Sequence, residues 1–67
     1  MHEMALAESI LTTLQEQARQ HAYARVRTVW LEIGPLASVE EESLRFSFDV
    51  VVKGTLADGA RLEIETS

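Results

Sequence analysis

Arg25-Val26-Arg27-Thr28-Val29-Trp30-Leu31-Glu32-Ile33-Gly34-Pro35 alternates apolar with polar side chains and then stops at a glycine–proline pair. Period-two alternation predicts a strand, because successive side chains leave opposite faces of the pleat. The strand is predicted over Arg25 to Ile33. Val29, Leu31 and Ile33 share one face with Arg27, and that face is assigned to the core. Val26, Thr28, Trp30 and Glu32 share the other face, where Trp30 is expected half exposed. Gly34 and Pro35 end the strand, since proline lacks a ladder donor and glycine weakens pairing.

Before this strand, Met4, Ala7, Leu11, Leu14 and Ala18 recur every three or four residues, with Leu6 and Ile10 widening the stripe. That spacing predicts an amphipathic helix from about Glu3 to Gln20. Its first turn has no side-chain cap, which leaves the leading amides available to another partner. After the strand, Ser38-Val39-Glu40-Glu41 has the spacing of a capping box, with Ser38 as N-cap and Glu41 reaching back. Leu44, Phe48 and Val51 line one face of the predicted second helix, with Val39 and Val50 beside them. Its end is placed within Val50–Val52. Lys53 and Gly54 suit a helix C-terminus by charge and by tolerance of left-handed backbone. A last strand is predicted over about Ala60 to Glu65, with Leu62 and Ile64 facing one way.

The order helix, strand, helix, strand defines the expected fold class: α+β, a small two-layer domain with an incomplete sheet. A helical crossover permits parallel strands with a right-handed connection, and antiparallel pairing is also compatible with the pattern. Two strands leave open sheet edges, so a homo-oligomer is expected.

The bulk properties narrow the function classes. Eleven acids against six bases give a net charge of −5, which opposes a nucleic-acid surface. The 67 residues contain no cysteine, so neither disulfides nor thiolate zinc sites belong to this sequence. A core this small buries only about 60% of the unfolded chain's surface, and metal or self-association are its remaining aids. No apolar run approaches the roughly 20 residues of a membrane helix, and no secretory leader pattern opens the chain. A cytoplasmic protein without membrane contact is the expectation. No nucleophile–base pair, phosphate loop or paired carboxylates stand out as an enzyme's signature, so none is expected.

Four blocks in order resemble the HypA/HybF family: Met1-His2-Glu3-Met4, Val29 to Leu36, Val39 to Asp49, and Gly54 to Ile64. The resemblance covers essentially the whole chain and implies a nickel metallochaperone domain for maturation of nickel–iron hydrogenase, and in some bacteria of urease. It implies a HypB-type GTPase and the hydrogenase large subunit as partners. The family pattern continues into a zinc module with two CxxC pairs and a returning segment, neither contained in residues 1–67. The reading is therefore a nickel-binding domain over 1–67, with no zinc in it. Where the family commonly has proline after the second helix's start, this chain has Glu41.

The candidate metal site is Met1, His2 and Glu3. A free α-amine, the amides of His2 and Glu3 and the His2 imidazole form a contiguous set of nitrogen donors. Such nitrogen-rich tetragonal sets suit Ni(II) or Cu(II), and the resemblance points to the same positions. Glu3 is expected to matter through its backbone nitrogen more than its carboxylate. The alternative for His2 is an ordinary exposed side chain, and for Glu3 an acid favoured by the helix dipole. His21 lies about 28 Å from His2 along a helix, too far to share its ion, and reads as a helix C-terminal residue. The run Glu40-Glu41-Glu42 is explained by its place at a helix N-terminus. Trp30 is a candidate partner-binding anchor, against the plainer reading of a side chain half covered on a sheet. A rival function is a structural or oligomerisation module whose metal site is vestigial.

Overall fold

A computed structural model describes residues 2–66 of the chain. The elements are α1 (Glu3–His21), β1 (Thr28–Ile33), α2 (Glu41–Val51) and β2 (Arg61–Thr66). The α+β order is as expected, and the strand direction left open by the sequence is parallel. The register sets Thr28 against Arg61, Val29 against Leu62 and Ile33 against Thr66.

α1 runs one residue beyond its predicted end and stops at Ala22, whose φ of 60° is left-handed. Its apolar stripe lies on the core through Leu6, Ala7, Ile10, Leu11 and Leu14. α2 places Leu44 and Phe48 wholly inside, with Val52 just past its end at 1% exposure. Val29, Ala57, Ala60 and Leu62 close the core from the strands and the loop between α2 and β2. Val50, expected beside the apolar stripe, is instead exposed, and the small Ser47 takes a buried position. One helical residue turns the side chain by about 100°, and the angle between Phe48 and Val50 carries Val50 outward.

Two expectations about β1 need correction. The ladder begins at Thr28 rather than Arg25, because the Val26 amide donates to the Leu56 carbonyl at 2.9 Å, outside the strand pair. Since that segment is not part of the pleat, its alternation does not continue into β1. Val26 is buried with the core and Arg27 is exposed, the reverse of their predicted faces. Leu31 and Ile33 are half-buried, and Trp30 is 72% exposed, more open than predicted.

The loop after α2 is tightly hydrogen-bonded. Gly54 (φ 75°) donates its amide to Asp58 Oδ2 at 2.9 Å, and the Thr55 hydroxyl donates to the Val52 carbonyl at 2.6 Å. Gly54 thus takes the left-handed position its sequence context suggested. The amide of Arg61 donates to the Arg27 carbonyl at 2.9 Å. Alternation then points the main-chain groups of Thr28, Trp30 and Glu32 to the open edge of β1, and those of Leu62 and Ile64 to the open edge of β2. The Arg45 guanidinium donates to the Leu62 carbonyl and partly covers the second edge.

Candidate metal centre

α1 begins at the second described residue, so its N-terminus and the candidate site coincide. His2 is the N-cap, with extended backbone (φ −88°, ψ 92°), an exposed side chain and no side-chain cap bond. The helical ladder starts with the Leu6 amide donating to the His2 carbonyl at 3.1 Å. The amides of Glu3, Met4 and Ala5 precede that first rung and have no acceptor within the helix. The Glu3 nitrogen can therefore lose its proton to a metal without breaking a helical hydrogen bond. Met1, the source of the α-amine in the expected ligand set, lies outside the described residues.

The Glu3 carboxylate is used differently from its nitrogen. Its Oε2 accepts the amide of Glu40 at 3.0 Å, joining the start of α1 to the start of α2. This corrects the capping-box expectation. Ser38 is exposed and outside the helix, Glu40 is the N-cap, and no side chain of its own segment caps α2. Glu41 turns forward to Arg45 at 3.4 Å instead of backward. The acceptor that a capping box draws from the helix's own first turn comes here from another helix. The Glu40 amide, then Glu3's own amide, hold the Glu3 carboxyl below the usual glutamate range. At neutral pH Glu3 is thus an anion already committed to fixing backbone.

Sequence reasoning missed this arrangement, since Glu3 and Glu40 are 37 residues apart. The contact brings Glu40 to the N-terminal end of α1. His21 ends α1, far from His2, and the remaining carboxylates of Glu41 and Glu42 lie in the first turn of α2. Among the described residues, no three His, Cys, Asp or Glu side chains come together as a metal-binding group. No described helix is long and apolar enough to cross a membrane.

Residues 1–67 match the family model described as hydrogenase/urease nickel incorporation, metallochaperone, hypA. The chain is 62% identical over 64 residues to the hydrogenase maturation factor HypA of Azotobacter chroococcum mcd 1, covering 96% of this chain and 57% of that protein. It is 54% identical over 65 residues to the hydrogenase maturation factor HybF of Salmonella typhimurium LT2, covering 97% and 58%. Its fold matches the solution structure of the Ni metallochaperone HypA from Helicobacter pylori with a TM-score of 0.91 at 20% identity, over 100% of this chain and 58% of that one. The chain thus spans somewhat over half the length of the relatives it matches. On the strength of a family match over its full length, the chain belongs to the HypA family of hydrogenase and urease nickel-incorporation metallochaperones.

Proposed function

We propose that this domain binds Ni(II) through Met1, His2 and Glu3 and hands it on for the maturation of nickel–iron hydrogenase, or of urease. The metal is cargo, and the domain carries out no catalysis of its own. A HypB-type GTPase and the hydrogenase large subunit are the proposed partners, in the cytoplasm. The observation that carries this reading is the helix start: an exposed extended His2 beside backbone nitrogens outside the helical ladder. A nitrogen-rich plane of this kind suits Ni(II), and binding that displaces amide protons weakens as pH falls.

Titration with Ni(II) tests it directly. Protein whose N-terminus is Met1 is expected to give the absorption of a square-planar complex, saturating at one equivalent. A Gly-Ser extension ahead of Met1 converts the primary amine to an amide and is expected to remove most of the affinity. Equal binding by the extended protein would move the ligand set elsewhere.

A second reading, association of the domain with itself, is favoured by Trp30, 72% exposed beside the open edge of β1. Covering one large apolar side chain contributes about 1.5–3 kcal/mol, a sizeable share of a small domain's stability. On this second reading a homodimer at micromolar concentration is expected, with Trp30→Ser shifting it toward monomer if the face is used. Light scattering that finds only a species near 7.5 kDa across that range would remove this reading.

A further inference from the structure

The lead-in to β1 and the start of β2 form an open groove of 430 Å³ lined by Arg25, Arg27, Thr28, Asp58, Gly59 and Arg61. Three of the chain's six basic residues therefore meet in one groove, on a molecule with net charge −5. A neighbouring groove of 450 Å³ shares Arg25, Arg27 and Thr28 and extends the surface past Leu14 and Tyr23 to Trp30. The combined surface is cationic at one end and aromatic at the other, where Glu63 pairs in register with Trp30.

These charges are largely unused by the fold. Among the described residues, no carboxylate lies within 4.0 Å of the guanidinium of Arg25 or Arg27. The one acid lining the basic groove, Asp58, directs its Oδ2 to the Gly54 amide. Arg25 spends one donor on the Asp58 carbonyl at 3.3 Å, leaving most of its five N–H groups free. Arg61, 77% exposed, pairs with Glu63 on its own strand, and exposed pairs of this kind exchange at little cost.

We propose that this surface docks an acidic peptide segment of a partner protein, its carboxylates on Arg25, Arg27 and Arg61 and an apolar side chain against Tyr23 and Trp30. Guanidinium forks match carboxylates in bidentate geometry, and tryptophan, tyrosine and arginine are the residues that dominate binding surfaces. The molecule's overall negative charge disfavours a phosphate polymer and leaves a local complement for short acidic sequence. Leu14 lies about 18 Å from His2 along α1. A partner seated here leaves the nickel end open, and the assignment holds whether or not nickel binds there.

The test uses a synthetic peptide of alternating glutamate and leucine, with its glutamine–leucine counterpart as control. Trp30 is the sole tryptophan, so its emission reports occupancy, and amide and guanidinium NMR shifts locate it. The glutamate peptide is expected to saturate both signals, with shifts concentrated at Arg25, Arg27 and Arg61. Arg27→Glu is expected to weaken it by about tenfold or more, and Arg19→Glu, outside the groove, to leave it unchanged. Arg27→Gln serves in place of Arg27→Glu if the latter loses its thermal transition. Equal binding of the glutamine peptide, or equal weakening by Arg19→Glu, would overturn the proposal. So would a single-stranded oligonucleotide binding the same surface more tightly. Light scattering in which Arg27→Glu converts a dimer to monomer would assign the groove to a second copy and overturn it too.

Discussion

His2→Ala is expected to abolish stoichiometric Ni(II) binding while leaving thermal unfolding unchanged. The two halves of this expectation rest on separate observations. His2 is exposed, stands at the N-cap and makes no side-chain cap bond, so the fold takes nothing from its imidazole. Its carbonyl, which accepts the first helical amide, is retained by alanine. Surface substitutions without such roles shift stability by no more than about 0.5 kcal/mol. For nickel the change is large, because His2 supplies the only side-chain nitrogen of the proposed set. Loss of a group that merely orients a ligand costs about 10–100-fold in metal affinity, and removing the ligand itself is expected to exceed that range. His21→Ala, at the far end of α1, is the matched control and is expected to bind as the unaltered protein does. Calorimetry returning near-native affinity for His2→Ala would remove the site.

How much of this was legible in sequence varies with the range of the interaction. α1 and β2 were readable to within a residue at their ends, since each carries its own periodicity and a nearby stop. The parallel pairing was permitted by the pattern and fixed only in three dimensions. β1 was overextended because Arg25 to Arg27 have the alternation of a strand while Val26 bonds to Leu56 instead. A local pattern carries no record of which carbonyl an amide will meet. The same limit explains Ser38: its box spacing was correct, yet the acceptor at the start of α2 is Glu3 from across the chain. The candidate site was legible as composition, in the succession of His2 and Glu3 behind an initial amine. That the Glu3 carboxylate accepts the Glu40 amide at the start of α2 was visible only in the fold. Arg61 likewise stands far from Arg25 and Arg27 in sequence, and parallel pairing brings it into one groove with them.

Phe48→Ala is expected to eliminate the cooperative unfolding transition, whereas Phe46→Ala on the same helix is expected to leave it nearly intact. The two phenylalanines differ by two positions on α2, and that rotation places Phe48 wholly inside and Phe46 at 69% exposure. Truncating a buried phenylalanine costs about 3–5 kcal/mol through lost transfer energy and the cavity left behind. A core of this size supplies about 3–5 kcal/mol in all, so one such change consumes the stability of the domain. Leu44 and Val52, the other large fully buried side chains, lie on the same helix and its end. Val52→Ala, deleting two methyl groups, should fall between the extremes at about 2 kcal/mol. Phe46 has little burial to lose, and its replacement is expected to stay within about 0.5 kcal/mol. Circular dichroism melts of the three variants rank them as Phe48, Val52, Phe46. If Phe48→Ala melted cooperatively near the native temperature, α2 would not hold the core together. Packing by α1 and the loop before β2 would then have to supply the stability assigned here to Phe48.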